Sequence, residues 1–324
     1  MRNLILGALV RSGDFVSGEE ISRLTGISRA AVWKHMETLK KEGYDIESVT
    51  KKGYKLIDGD AHPETVFFRL PAECVIGREY VYLDEVESTN TLARSKAGSM
   101  PDGSVIIADR QISGRGRMGR HWDSAGGKGI WMSVILKPAI RTAEAMVMTH
   151  MAGAAVCDAL CRCGFQALIK WPNDIVMNGR KVCGILAMLE GEPDMLHHVI
   201  IGIGVNVSHA EEDFPQELLD KATSLRIEAK QPVDRNMILE NIIERLDFYY
   251  KCLERRDTGV IMDFCRQKSA TLGREVRIIE PDGELRGKAV ALTDKGGLVI
   301  EDDQGRATEI ISGEVSVRGI YDYV

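Results

Sequence analysis

The sequence has no apolar run long enough to cross a membrane, no internal repeat and no tract of low complexity. Its apolar start at residues 4–10 is short, stops at Arg11 and is followed by no small-residue cleavage site. We therefore interpret this start as a helix rather than a signal peptide. These absences argue against a membrane protein and against a repeat protein.

The sequence also lacks a cysteine pattern typical of disulfides or metal sites. Its seven cysteines are an odd number and are scattered along the chain, which predicts a reduced, cytoplasmic setting. Cys157, Cys161 and Cys163 are close in sequence, but they end an alanine-rich helical run and would not all share one face. We interpret them as small core residues.

An excess of positive charge is absent as well. The 324 residues carry a formal net charge of −6, which excludes a general polyanion binder, and 44% of them are hydrophobic, as in ordinary globular domains. A chain of this length exceeds the size at which one core is usual. We therefore expect several domains.

The first sixty residues have the spacing of a helix-turn-helix. Ser17 and Glu20 form a capping box for a helix that turns Ile21 and Leu24 inward, and Ser28 caps a second helix after a tight turn. On the second helix, residues 32, 36 and 39 recur at core spacing. Two short β runs at residues 44–48 and 53–57 predict a wing. The residues expected to face DNA are Ser28, Arg29, Ala30, Trp33 and Lys34 on the helix and Lys51 and Lys52 in the wing.

The charge of this region supports DNA rather than protein as its partner. Residues 28–56 hold seven Lys or Arg against four Asp or Glu, a local net charge of +3. A winged helix used for protein contacts is the alternative. Because one mildly basic module binds DNA weakly, a homodimer on a two-fold operator is the natural expectation.

A loop rich in arginine and glycine lies between two β-rich runs. Residues 114–122 match the letters of the dinucleotide fingerprint, but no helix follows them, and they lack the Lys-Ser/Thr ending of a P-loop. Glycines give a mobile backbone, and arginine forks match phosphate oxygens. The loop therefore predicts an anion site, and a solvated basic hairpin loop is the alternative.

Three further segments have the character of a binding site. An Asn178-Gly179 hairpin places Lys181 near the start of a strand in which Gly184 permits close approach of a ligand. A second apolar strand around Gly204 and Asn206 has glycines where side chains would normally fill the space, which indicates a flat ligand. The small polar residues 88–91 precede a helix, and helix capping explains them equally well.

Together, these four segments resemble the catalytic domain of the biotin protein ligases, and with the N-terminal region the resemblance extends over the whole chain to members that also repress the biotin operon. The fold class implied is a multidomain α/β (α+β) protein. It has a winged helix-turn-helix over residues 1–60, a mixed-sheet α+β catalytic domain over 64–270 and an SH3-like C-terminal β-barrel over 271–324. The short alternating β runs after residue 271 fit the last of these.

The resemblance also implies the residues of the site. Ser88, Thr89, Asn90 and Gln111 would contact biotin, the arginine–glycine loop would close on the adenylate, and Trp122 would stack near adenine. The full set expected to bind biotin or its adenylate is Ser88, Thr89, Asn90, Gln111, Gly114, Arg115, Gly116, Arg117, Arg120, Trp122, Lys181, Gly184, Gly204 and Asn206. Met118 departs from the family, where many members carry another basic residue.

The implied reaction has two steps, with ATP and biotin as substrates. Biotin first displaces pyrophosphate from ATP, and a lysine of an acceptor protein, the carboxyl carrier domain of a biotin-dependent carboxylase, then attacks the anhydride. We assign the chemistry to Lys181, Arg117 and Asp174. Asp174 either engages Mg²⁺ or orients the incoming lysine, and an Asx turn is its structural alternative.

Two other functions are alternatives to a bifunctional ligase and repressor. A ligand-sensing repressor without ligase turnover is disfavoured because Lys181 and the arginine loop are both intact. A lipoate-type ligase is disfavoured because its Arg-Arg and Gly-Gly-Gly signature is not found.

Overall fold

The computed structural model describes residues 1–57, 62–192, 194–280, 283–311 and 316–319, with backbone alone for 143, 279, 280, 283, 284 and 316–319. The chain forms two compact units, Met1–Glu73 and Cys74–Val324, which are treated separately. Residues 58–61, near the predicted boundary between the first two domains, lie outside the described residues. No helix in the described ranges is long and apolar enough to span a membrane.

The first unit is a three-helix domain with a two-stranded wing. Its elements are α1 (Arg2–Ser12), α2 (Gly18–Thr25), α3 (Arg29–Lys41), β1 (Ile46–Val49) and β2 (Gly53–Leu56). Ser17 and Ser28 accept the N–H groups of Glu20 and Ala31, which fixes the starts of α2 and α3 as the sequence predicts. The predicted winged helix-turn-helix is confirmed.

The core of this domain contains the residues predicted from helical spacing, with one exception. Ile21, Val32, Met36 and Leu39 are at most 1% exposed. Leu24, predicted to face inward, is 57% exposed, so that prediction is wrong. The reason is the brevity of α2, which ends at Thr25 and has Ile21 as its buried residue.

The segment after the wing is part of the same unit. A 3-10 helix, Pro63–Phe68, places Glu64 in the interior, where it accepts hydrogen bonds from Arg2 and from the Tyr44 hydroxyl. Burial and this bond to the carboxylate raise the pKa of Tyr44. The chain leaving the wing is thereby tied to α1.

The second unit is built on a seven-stranded mixed sheet. Its elements up to residue 267 are β3 (Tyr80–Val86), α4 (Thr89–Lys96), β4 (Ser104–Gln111), β5 (Gly129–Leu136), α5 (Met146–Arg162), β6 (Leu168–Lys170), β7 (Asp174–Met177), β8 (Arg180–Glu192), β9 (Met195–Asn206), α6 (Leu225–Ala229), α7 (Arg235–Glu254) and α8 (Thr258–Gln267). The strand order is β3-β4-β5-β9-β8-β7-β6. Among these neighbouring strands, β3 and β4 run parallel and the other five pairs are antiparallel, so the predicted mixed sheet is confirmed.

The last five strands form an antiparallel sheet in the order β13-β12-β11-β10-β14. These strands are β10 (Glu275–Glu280), β11 (Gly283–Leu292), β12 (Leu298–Glu301), β13 (Ala307–Ile310) and β14 (Ser316–Gly319). In the described part of this domain, no hydrogen-bonded pairing joins β13 to β14, so the sheet is open where a closed barrel was expected. β13 was not predicted, because it is short and only Ile310 of it is buried.

One turn joins this sheet to the larger one. The carbonyl of Gly296 lies 3.0 Å from Nε2 of His150 and accepts the indole N–H of Trp171 at 2.9 Å. The main-chain N–H of Trp171 also donates to the Thr271 hydroxyl oxygen at 3.0 Å. The C-terminal domain is therefore bonded to the segment that leads from β6 into β7.

Candidate active site and DNA-contacting surface

A cleft of about 880 Å³ opens on one face of the large sheet. Of the fourteen residues predicted to bind biotin or its adenylate, thirteen line it, and so does Asp174. The exception is Gly114, which is not among the lining residues. A side chain there would collide with the Trp122 carbonyl and the Ser124 hydroxyl, so Gly114 permits the close approach of two strands of the loop.

The arginine–glycine loop joins β4 to β5, as predicted, and reaches across the cleft. Its Arg117 donates a hydrogen bond of 3.0 Å to Oδ1 of Asn173, whose own amide donates to the carbonyl of Ile185 on β8. Burial is the main cause that lowers the pKa of Arg117, and Asp174 opposes it. A desolvated guanidinium gains more than an exposed one from an anion, so this position favours a phosphate.

A second group of cleft-lining side chains is polar and hydrogen-bonded internally. Ser88 caps α4, and Thr89 donates to Oε1 of Gln111 through both its N–H (2.8 Å) and its hydroxyl (3.0 Å). Gln111 in turn donates to Ser124 at 2.8 Å. The buried Ser133 hydroxyl bonds Thr89 and Asn90, and it was not predicted because a lone serine in an apolar strand gives no signal.

Lys181 stands where the Asn178-Gly179 hairpin predicted it, at the start of β8. Its ammonium lies 2.6 Å from Oδ1 of Asp174 and 5.1 Å from the centroid of the Trp122 ring. The Lys181 side chain is 22% exposed. The ion pair and the cation–π contact hold a positive charge at a defined point of the cleft.

The glycines of β9 have a different role from the predicted one. A Cβ atom at Gly202 would collide with the Asn90 amide, and one at Gly204 would collide with the Trp122 indole. The space beside these glycines is therefore occupied by the Asn90 and Trp122 side chains, and not by a ligand alone. Asn206, next on this face, donates to the carbonyl of Thr223 at 3.1 Å.

A second segment borders the cleft and was not predicted. Its lining residues are His209, Phe214, Pro215, Leu218, Lys221 and Ala222. The main chain of Lys181 bonds this segment at both ends of a short parallel bridge, to the carbonyl of Lys221 (2.7 Å) and the N–H of Thr223 (2.9 Å). No local sequence pattern indicates this pairing, because it depends on how β8 and β9 meet.

A protein metal site is not evident in the described part of the chain, where no group of three or more His, Cys, Asp or Glu is placed to hold an ion. Two carboxylates, Asp123 and Asp174, line the cleft.

The first unit presents the residues predicted to contact DNA on its surface. All seven are exposed, and Trp33 is 55% exposed despite its size. The Ser28 hydroxyl is used as the cap of α3. Lys51 adopts a left-handed backbone at the tip of the wing, and the Lys52 ammonium lies 5.6 Å from the Phe15 ring centroid.

The sequence matches three families in the order that these domains require. Residues 2–55 match an HTH domain, residues 82–206 match the Biotin/lipoate A/B protein ligase family, and residues 271–318 match the Biotin protein ligase C terminal domain. The last match supports the SH3-like assignment of the C-terminal strands, although the described strands do not close.

Relatives match over nearly the whole chain. The Bifunctional ligase/repressor BirA of Bacillus spizizenii is 39% identical over 90% of this chain and 91% of its own length. The protein of the same name from Escherichia coli is 29% identical over 97% of each. A solved biotin protein ligase from Aquifex aeolicus, in complex with biotin and ATP, superposes with a TM-score of 0.64 and 32% identity, covering 75% of this chain and 99% of that one.

The fold and the cleft thus define a biotin/lipoate-type ligase joined to a DNA-binding domain. The chain belongs to the biotin protein ligase family. Within that family, it is similar along its length to the bifunctional ligase/repressors.

Proposed function

We propose that this protein is an ATP-dependent biotin protein ligase that is also a biotin-responsive transcriptional repressor. The ligase activity is supported by one observation: a single cleft holds both polar side chains, around Thr89 and Gln111, and cationic side chains, from the arginine loop and Lys181. Biotin has a polar ring and a carboxylate at its other end, and ATP adds phosphates beside that carboxylate. The polar side chains suit the biotin ring, and the cationic side chains suit the carboxylate and the phosphates.

In the first half-reaction, a carboxylate oxygen of biotin attacks the α-phosphorus of ATP, and the bond to the β-phosphate bridging oxygen breaks, releasing pyrophosphate. Lys181 stabilises the negative charge that builds on the α-phosphate, since it is a cation already fixed in place. Arg117 binds phosphate oxygens and, with its loop over the cleft, keeps water from the mixed anhydride.

In the second half-reaction, the amine of an acceptor lysine attacks the biotinyl carbonyl, and AMP leaves. Asp174, beside Lys181, orients that amine and accepts its proton. Mg²⁺ enters with ATP as part of the substrate. The carboxylate of Asp174 is a hard oxygen ligand of the type Mg²⁺ prefers, so we assign to it any protein contact with that ion.

The proposed repressor function is supported by the exposed side chains of α3 and the wing. Trp33 and Lys34 face outward from a helix whose core face is filled, and Lys51 lies at the wing tip. Two copies are needed for a two-fold operator, so we assign the operator-bound state to a homodimer. Biotinyl adenylate is the ligand that spans both ends of the cleft, and it favours that dimer over the monomer.

The ligase is tested with labelled biotin, ATP, Mg²⁺ and a carboxyl carrier domain. We expect label on the carrier and none when its acceptor lysine is replaced by arginine. Sedimentation with and without biotinyl adenylate, beside operator binding under the same conditions, tests the repressor. If label is transferred but the adenylate changes neither self-association nor DNA affinity, the ligase function is supported and the biotin-controlled repressor function is ruled out.

A further inference from the structure

Lys128, at the end of the arginine–glycine loop, is joined to the second segment that borders the cleft. Its carbonyl accepts the N–H groups of Val207 (3.1 Å) and Ser208 (2.7 Å). Its ammonium extends farther along that segment and lies 2.7 Å from Oδ2 of Asp213. Neither Lys128 nor Asp213 lines the cleft itself.

Asp213 is held from both sides. The oxygen that pairs with Lys128 also accepts the N–H of Ala210 at 2.8 Å and so closes the turn at residues 211–213. The bond from Lys128, followed by that from Ala210, lowers the pKa of Asp213. The turn leads directly into Phe214, which lines the cleft.

A buried aromatic group reinforces the same connection. The Trp131 indole donates to the carbonyl of Ala125 in the loop at 3.2 Å. The Trp131 and His209 rings make a T-shaped contact with centroids 6.0 Å apart, and the His209 ring packs on Phe214 with centroids 5.2 Å apart. The loop and the segment therefore share both an ion pair and a packed core.

We propose that the Lys128–Asp213 ion pair couples residues 114–129 to residues 209–222, so that the two borders of the cleft open and close together. The inference rests on the proposed function for its ligand, biotinyl adenylate. Lys128 and Asp213 act as positioning residues, because neither lines the cleft: Lys128 ends the loop that carries Arg117, and Asp213 immediately precedes Phe214. Loss of the pair lets one border open while the other remains closed.

The first test measures release of biotinyl adenylate from wild type, Lys128→Met, Asp213→Asn and the double variant. Both side chains are partly exposed, so we expect each single variant to release the adenylate about two- to fivefold faster. The double variant should release it no faster than the singles. Arg306→Gln, which removes an exposed ion pair with Asp302 in the C-terminal domain, is the matched control and should release it at the wild-type rate. Multiplying effects in the double variant, or unchanged release in both singles, would overturn the coupling.

The second test uses amide hydrogen exchange and needs no turnover. Arg117→Gly loosens the loop, and we expect exchange in residues 209–222 to rise with it. In a Lys128→Met background, the same Arg117→Gly change should raise exchange in residues 209–222 by less, because the ion pair is gone while the main-chain bonds of residue 128 and the Trp131–His209 packing remain. An equal rise in both backgrounds contradicts the coupling. Pyrophosphate exchange by the wild type tests the proposed ligase function separately. The coupling can therefore be disproved while the ligase function stands, and the reverse.

Discussion

The ammonium of Lys181 lies 2.6 Å from a carboxylate oxygen of Asp174, within a cleft that is also lined by arginines, small polar groups and apolar side chains. The contact with Asp174 holds the Lys181 ammonium at one point of the cleft. A cation that is positioned before the reaction begins stabilises charge in the transition state without reorganisation. We therefore expect adenylation to take place beside this pair.

Replacing Lys181 by Ala should slow adenylation by about 10²- to 10³-fold while biotin binding changes little, because the lost cation acts mainly on the transition state. Single-turnover formation of the adenylate measures the first quantity, and calorimetry measures the second. Arg180→Ala is the matched control, since the preceding side chain pairs with Glu228 instead of the cleft. An equal loss in both variants would show that the strand, and not the ammonium, had been disturbed.

Replacing Arg117 by Gly should speed release of the adenylate more than it slows formation. The arginine crosses the cleft to Asn173, so it closes over a ligand already in place. Release is followed by chasing labelled adenylate with unlabelled compound. Arg110→Ala, which removes an exposed arginine paired with Glu85, should release it at the wild-type rate. Slower formation with unchanged release would contradict this role.

The sequence predicted the site better where the signal was local. Serine caps at residues 17, 28 and 88 and the Asn178-Gly179 hairpin require only neighbouring residues, and the structure contains all of them. The second border of the cleft was not predicted, because the main-chain pairing of Lys181 with residues 221–223 joins segments forty residues apart. Leu24 was misassigned for a related reason: in a helix of eight residues, a single turn decides which positions are covered.

Lys51→Ala should weaken operator and nonspecific DNA binding alike and reduce the salt dependence by about one counterion, because a lysine at the wing tip contacts phosphate. Trp33→Ala should weaken operator binding more than nonspecific binding, since this exposed side chain lies on the face of α3 that would read bases. Fluorescence anisotropy at several salt concentrations measures both. Lys41→Ala, at the far end of α3, is the control. A variant at Trp33 that binds operator like the wild type would place base reading elsewhere.

Stability should fall as the pH is lowered from about 7 to about 5, in part because of His150. Burial lowers the pKa of His150 from its usual value of 6.5 to about 4, against the opposing hydrogen bond to Gly296. Between these values the unfolded chain binds a proton that the folded chain does not, so the free energy of unfolding decreases, by at most about 3 kcal/mol from this group. Above pH about 6.5 the histidine is neutral in both states and has no such effect.

Urea unfolding followed by tryptophan fluorescence at several pH values measures this change. His150→Gln removes the titrating group and should show a shallower loss of stability toward pH 5. Because burial also lowers the pKa of His209, part of the slope should remain. Identical pH dependence in the variant and the wild type would show that His150 protonation does not destabilise the fold.

If the cleft activates biotin and does not merely bind it, the protein should exchange labelled pyrophosphate into ATP. This exchange is measured with and without biotin for the wild type and Lys181→Ala. We expect exchange that requires biotin and falls by orders of magnitude in the variant. Biotin binding with no exchange in the wild type, or exchange unaffected by loss of Lys181, would contradict it.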